Sequence, residues 1–327
     1  MKKNIAIIMG GYSSEVDISL KSGQVVYENI SKEKYNARKI HILKEKWVLV
    51  DDFEKEFPIN KHDFSAEING KKINFDCVFN AIHGHPGEDG TILAYFDLIG
   101  LKHTSAPFYQ MALTFNKRDC LSVLKQYGIK TAKSFYLNEG DEINVDEIIA
   151  KVGLPCFVKP NNAGSSFGIS KAKTAAEMIP AIEKAFKEDS QILIEAFLDG
   201  PEITIGVFNY KGKIKVLPMT EIISENEFFD YEAKYLGKSQ EITPARISPE
   251  IHEKLEKIAA QVYKILNMSG FSRSEYILVN GEPHFLEMNT VPGLTTASII
   301  PQQAAAAGIS LEDLFHNAVE MALSKTK

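Results

Sequence analysis

The sequence is poor in the features that mark secreted, membrane-bound or nucleic-acid-binding proteins. It has only three cysteines in 327 residues, Cys77, Cys120 and Cys156. They are far apart and odd in number, and no Cys-x-x-Cys pair occurs, which argues against a zinc site and a disulfide framework. Buried thiols in a reducing compartment are the expectation. No stretch approaches the roughly 20 apolar residues of a membrane span. The N-terminal run Ile5–Met9 stops at Gly10-Gly11, too soon for a signal peptide, and reads as a first buried strand of a cytoplasmic protein. Basic residues are not in excess: 37 Lys and Arg against 43 Asp and Glu give a net charge of −6, the wrong sign for a nucleic-acid surface. Neither nucleic acid nor membrane is expected as a partner. The Gly-x-Gly-x-x-Gly fingerprint of dinucleotide oxidoreductases is also missing, and there is no internal repeat.

What is present is a globular balance in a chain longer than one ordinary core, so two or three lobes are expected. Strand and helix patterns alternate at first. Strands are expected at Ile5–Met9, Ala37–Leu43, Trp47–Val50 and Asp76–Ile82, and helices at Glu15–Ile30 and Asp89–Ile99. This predicts an α/β lobe over residues 1–112 with a doubly wound parallel sheet. Ligands of such sheets sit beyond the carboxyl ends of strands, where both Gly-rich turns of this segment lie. Residues 113–200 read as a second lobe. It has a helix over Asn116–Tyr127, a strand at Cys156–Lys159, a helix over Thr174–Lys187 opened by a Thr174/Glu177 capping box, and a strand at Gln191–Phe197. Residues 201–327 are richer in strand, an α+β pattern. Asn280-Gly281 between Phe271–Val279 and His284–Met288 signals a type I′ hairpin.

That hairpin carries chemistry. Side chains two apart on a strand face the same way, so Arg273 pairs with Glu275, and Glu287 with Asn289, at one end of the ribbon. Two carboxylates and an amide oxygen are hard ligands suited to Mg²⁺ beside phosphate. A turn at Thr290-Val291-Pro292-Gly293 fixes the chain just after them. Lys159 ends a strand and precedes the small-residue loop Asn161–Gly168, in which backbone N–H groups can approach phosphate oxygens. No Lys-Ser/Thr pair follows its last glycine, so it is not a P-loop. Glu15, after Gly10-Gly11-Tyr12-Ser13-Ser14, starts a helix and could hold a substrate ammonium. His83–Gly90 crowds two histidines, two acids and three glycines into a candidate substrate loop. Phe228–Tyr235 places aromatics in a polar segment, as a lid would.

Taken in order, these segments resemble the D-alanine–D-alanine ligases of the ATP-grasp superfamily, over nearly the whole chain. The resemblance rests on Gly10–Glu15, Ser19–Gly23, His83–Gly90, Val158–Pro160 with Gly164-Ser165-Ser166-x-Gly168, Asp230–Tyr235, and Arg273 with Glu287-x-Asn289-Thr290-x-Pro292-Gly293-x-Thr295-x-x-Ser298. It implies an N-terminal substrate lobe followed by two ATP-grasp lobes, and ATP and Mg²⁺ as cofactors, with two metal ions and Mn²⁺ as an alternative metal. It further implies that Lys117, Lys159 and Ser166 meet phosphates, that Glu195, Ala196, Phe197, Leu198 and Glu202 hold adenine and ribose, and that Lys234 meets the γ-phosphate. Glu275, Glu287 and Asn289 would bind metal. Glu15 would hold the first D-alanine, with His83 in its loop, and Ser165 would link Glu15 to Tyr235 of the lid. Arg273 and the Gly293 N–H would stabilise the oxyanion, and Ser298 would take the second substrate's carboxylate. A homodimer built through the first lobe is implied as well. Glu275 stands where the family usually has Asp. A ligase using D-lactate, and a non-catalytic ATP-binding module, remain the alternatives; the retained Glu15, Glu287 and Lys234-Tyr235 count against both.

Overall fold

In the computed structural model, which describes residues 2–162, 164, 167–224 and 239–324, the Ile5–Met9 run is the buried centre of β1 (Lys3–Gly10). Helix α1 (Val16–Asn29) crosses over to β2 (Tyr35–Ile42), which lies parallel to β1. The chain then turns back on itself through β3 (Trp47–Val50), β4 (Glu56–Asn60), β5 (Ser65–Ile68) and β6 (Lys71–Ile73) before returning to β7 (Cys77–Asn80) on the other side of β1. Helix α2 (Thr91–Ile99) leads to β8 (Lys102–His103). The sheet order is β6-β5-β4-β3-β2-β1-β7-β8. Only β2, β1, β7 and β8 are parallel neighbours. The α/β class holds, but the parallel sheet is half of a wider one whose outer half is an antiparallel meander. The links from β3 to β6 are too short for a crossover, which needs a dozen or more residues.

Helices α3 (Phe108–Phe115) and α4 (Lys117–Gln126) precede the second sheet. Asn116 Oδ1 accepts the Asp119 N–H at 3.0 Å and caps α4. The sheet is built from β9 (Ser134–Asn138), β10 (Cys156–Pro160), β11 (Ser170–Ala172) and β12 (Gln191–Ala196), in the antiparallel order β11-β10-β12-β9. Helices α5 (Val145–Val152) and α6 (Met178–Phe186) cover one face, over a core that includes Val158, Ile192 and Ile194. Alternation along β10 and β12 sends Phe157, Lys159 and Glu195 to the other face, which lines a cleft.

The third sheet has β13 (Glu202–Tyr210), β14 (Lys213–Val216), β15 (Thr220–Ser224), β16 (Ser239–Ile242), β17 (Ser272–Val279) and β18 (Glu282–Asn289). Its order is β16-β15-β13-β17-β18, with β14 on β13. Helix α7 (Pro249–Ile265) precedes β17, and α8 (Ile299–Ala306) and α9 (Leu311–Ser324) end the chain. Helix α9 packs back on the first sheet: Phe315 meets Phe79 edge-on, and the Tyr35 hydroxyl donates to Glu320 at 2.7 Å. The three cysteines are buried and free, and burial pushes the Cys120 thiol up to about 12 and the Cys156 thiol up to about 11. No helix among the described residues is long and apolar enough to cross a membrane.

The β17–β18 turn is the expected one, with φ of 53° at Asn280 and 76° at Gly281. A Cβ on Gly281 would meet only the Ile251 Cδ1 methyl, at 3.9 Å, so a side chain there costs conformation and not space. Gly281→Ala is therefore expected to lose about 1 kcal/mol, read as a drop of roughly 2–4 °C in the thermal midpoint with activity retained.

Candidate active site

The metal-type residues come together through a feature that the alternating pattern does not show. From the turn, β17 and β18 pair regularly, Val279 with Glu282 through to Tyr276 with Phe285; the register then shifts by one residue. Continued without the shift, Glu275 would lie opposite Leu286. With the β-bulge, Glu275 lies opposite Glu287, and Arg273 opposite Asn289. Residues directly opposite share a face, so all four side chains project together. Arg273 Nη2 donates to Glu275 Oε1 at 2.8 Å, and Asn289 Nδ2 donates to the same oxygen at 3.1 Å. The longer arm of Glu275 thus keeps a carboxylate within reach of both neighbours. Lys117 Nζ stands 3.4 Å from Glu287 Oε2. Two opposed carboxylates and an amide, already surrounded by cations, form an oxygen-rich donor set that fits a hard divalent ion.

The same face borders a cleft of about 570 Å³ between the second and third sheets. Lys159, Glu195, Ala196, Phe197, Leu198, Glu202, Glu275 and Glu287 all line it. Lys159 Nζ pairs with Glu195 Oε2 at 2.8 Å. Burial works against the charge on Lys159, but Glu195, Glu287 and Glu202 outweigh it and hold its pKa above the ordinary lysine value. Glu195 Oε1 is buried with no hydrogen-bond partner among the described residues, an acceptor ready for an N–H or O–H donor. The fully buried Asn161, which sequence reading passed over, sets the two lysines relative to each other. Its Oδ1 accepts the Arg118 N–H at 2.9 Å and its carbonyl accepts the Lys117 N–H at 3.3 Å. The start of α4 is thereby tied to the end of β10.

The Gly-rich turns of the first lobe close the other end of the site. A Cβ on Gly164 would stand 2.7 Å from Glu15 Oε2, and one on Gly84 would stand 3.4 Å from the same oxygen. The small-residue loop and the His83–Gly90 loop therefore converge on the Glu15 carboxylate. His83 has both ring nitrogens engaged: Nδ1 donates to the Val291 carbonyl at 2.7 Å, and Nε2 accepts from Ser22 Oγ at 3.0 Å. Burial lowers its pKa, favouring the neutral form of the ring. Glu88, one of the two acids of the His83–Gly90 loop, accepts the Thr290 and Val291 N–H groups at 3.0 and 3.2 Å. His83 and Glu88 thus bind the first lobe to the turn that follows Asn289. Beyond it, a Cβ on Gly293 would stand 2.7 Å from Ser298 Oγ, which pairs with Thr295 Oγ1 at 2.8 Å. Ser165, Ser166, Lys234 and Tyr235, with the Phe228–Tyr235 lid reading, lie outside the described residues.

Glu88 yields a pH test. Burial, then the Glu15 charge, raise its pKa from an ordinary 4.5 to about 7. The folded protein therefore holds this proton more tightly than the unfolded chain, so stability falls as pH rises from about 4.5 to about 7. In Glu88→Gln that contribution to the slope is expected to vanish. Thermal midpoints of both proteins across this range check it: the variant must gain on the wild type as pH rises.

The family model described as the D-ala D-ala ligase N-terminus matches residues 4–106, and the one described as the C-terminus matches residues 123–320. The chain is 69% identical over 322 residues to the D-alanine–D-alanine ligase of Flavobacterium johnsoniae, covering 98% of this chain and 100% of that one. It is 59% identical to the ligase of the same name from Christiangramia forsetii, covering 99% and 100%. Among solved structures, the VanG D-Ala:D-Ser ligase from Enterococcus faecalis superposes with a TM-score of 0.89 at 31% identity, covering 98% and 100%. The Bacillus anthracis D-alanine–D-alanine ligase complexed with ATP gives 0.79 at 28% identity, covering 98% and 97%. With a cleft between two antiparallel sheets, a paired-carboxylate hairpin facing it and relatives of this identity over its whole length, the chain belongs to the D-alanine–D-alanine ligase family.

Proposed function

We propose that this enzyme joins two D-alanine molecules at the expense of ATP, giving D-alanyl-D-alanine, ADP and phosphate for cell-wall synthesis. The observation that carries the reading is the shared wall of one cleft: Lys159 and Glu195 from the second sheet face Glu275 and Glu287 from the third. Glu15 closes the far side against Gly164. A carboxylate of the first D-alanine, its ammonium held by Glu15, attacks the γ-phosphorus and ADP departs. The amine of the second D-alanine attacks the resulting acyl phosphate, and phosphate leaves.

Lys117 and Lys159 hold the phosphate chain, and Glu195 offers its unpaired oxygen to a donor of the adenine. Ala196, Phe197 and Leu198 flank the base, and Glu202 holds the ribose. Arg273 and the Gly293 N–H receive the negative charge of the tetrahedral intermediate, the point at which fixed donors act most strongly. Ser298 receives the acceptor's carboxylate. Two Mg²⁺ ions, held by Glu275, Glu287 and Asn289 when bound, supply neutralisation of phosphate charge. The assignment is completed by the Phe228–Tyr235 lid read from the sequence, with Lys234 and Tyr235, and by Ser165 and Ser166; the lid's role would be to exclude water from the acyl phosphate.

With ATP as substrate, the cytoplasm is the proposed location of the reaction. A homodimer through the first lobe is part of the proposal, and the exposed apolar side chains of Leu98, Phe108 and Tyr109 support it. The test is phosphate release and dipeptide formation with ATP, Mg²⁺ and D-alanine, with D-serine and D-lactate offered as competing acceptors. Release that does not depend on D-alanine refutes the reading, and preferred use of D-lactate or D-serine redirects it.

A further inference from the structure

The face of the third sheet that carries Arg273, Glu275, Glu287 and Asn289 reaches further than these roles use. Glu275 lies opposite Thr204 on β13, and Glu202, two residues away on the same face, lies opposite Ile222 on β15. Ile222 in turn lies opposite Glu241 on β16. Opposite residues share a face, so Glu241 is a carboxylate on the catalytic face at the sheet's edge. Burial raises its pKa and the Arg273 guanidinium works in the other direction, so the two groups feel each other across the site.

Glu241 Oε2 accepts from Gln302 Nε2 at 2.9 Å, and the same Nε2 donates to the Ala297 carbonyl at 2.8 Å. The Gln302 N–H also donates to the Ser298 carbonyl at 3.1 Å. Beside this polar contact, Ile222 packs on Ile299. A glutamine amide nitrogen has two hydrogens, and here each has its own acceptor. Glu241 Oε2 accepts here, and an amide oxygen has no hydrogen to donate, so Glu241 decides which end of the Gln302 amide faces it. The second hydrogen is thereby aimed at Ala297, the residue before Ser298.

We infer that Glu241 is a positioning residue for the acceptor amino acid: through the Gln302 amide it holds the Ala297–Ser298 turn from which Ser298 receives the acceptor's carboxylate. This rests on the ligase reading and on Ser298 as the acceptor site. The ammonium of the first D-alanine is held elsewhere, at Glu15 between loops of the first and second lobes. The effect therefore falls on one of the two D-alanine sites.

Initial rates of phosphate release against D-alanine resolve a Michaelis constant for each site. In Glu241→Gln the acceptor-site constant is expected to rise roughly tenfold, the size of weakening one charge-assisted hydrogen bond. The first-site constant and that for ATP should stay within about twofold. Gln302→Leu should reproduce the split, and the double variant should be no worse than the poorer single one, because the two residues act in series. If Gln302→Leu does not fold, Gln302→Glu takes its place, since it keeps the length but cannot donate to Ala297. Equal rises at both D-alanine sites, a fall in kcat with the constants unchanged, or additive effects in the double variant overturn the inference. A wild type without D-alanine-dependent release overturns the ligase reading and this inference with it, whereas an active wild type with unselective variants overturns the inference alone.

Discussion

Glu287→Gln is expected to lower turnover by roughly 10²–10³-fold while leaving the fold intact, the loss typical of removing one electrostatic contact to a charged transition state. The substitution keeps shape and one oxygen but removes a full negative charge from the wall proposed to hold phosphate and metal. Its structural cost is small. The Lys117–Glu287 pair is partly exposed, with 12% and 24% of the two side chains accessible, and its N···O distance of 3.4 Å is long for a charged hydrogen bond. Pairs of that kind contribute little to stability. The thermal midpoint without ligand should therefore barely move. The stabilisation of the wild type by Mg²⁺ and ATP should largely disappear, because it scales with the logarithm of ligand concentration over Kd. Phosphate release and thermal unfolding with and without Mg²⁺–ATP check both halves. Near-normal turnover would show that Glu287 is not a metal ligand.

Which residues of the site are legible in the sequence depends on which interactions are local. The hairpin was legible because Asn280-Gly281 states its own turn type. The cleft lysine was legible because Lys159 ends an apolar strand before a loop of small residues. The bulge was not. Pro283, Phe285, Leu286 and Met288 are apolar in a pattern that permits two registers, and only packing against β17 selects the one that opposes Glu275 to Glu287. The antiparallel half of the first sheet was legible at β3, Trp47–Val50, but not from β4 to β6, for a related reason. Its Asn69-Gly70 turn has the same left-handed pair, with φ of 51° and 74°, but the flanking strands carry Glu67, Lys71 and Lys72 and show no apolar alternation. Asn161, Glu88 and Glu241 act through partners 30 to 200 positions away, such as Thr290 for Glu88; the His83–Gly90 pattern marks the loop of Glu88 but not its partners, which no local pattern gives for any of the three. Resemblance carried the roles of Lys117, Arg273 and Ser298; the structure adds what holds each of them in place.

Arg273 offers the sharpest separation of chemistry from stability. Its guanidinium and the Glu275 carboxylate retain only 15% and 6% side-chain exposure, and they meet at 2.8 Å. Arg273→Met is expected to lose about 3 kcal/mol of stability, because it strands a buried carboxylate. On the proposed role of Arg273 at the oxyanion, it should also lose roughly 10²–10³-fold in turnover, because a fixed donor goes. A single variant confounds the two effects, so Arg273→Lys is the informative partner. Lysine restores a positive charge opposite Glu275 and should recover most of the thermal midpoint. It cannot reproduce the planar, five-donor fork of the guanidinium. Turnover should therefore remain at least about tenfold down while stability returns. Added Mg²⁺ should raise the midpoint of Arg273→Met more than that of the wild type, since the stranded carboxylate then regains a cation. If Arg273→Lys recovers turnover in step with stability, Arg273 serves only to neutralise Glu275, and the oxyanion must be held by the Gly293 N–H with other groups.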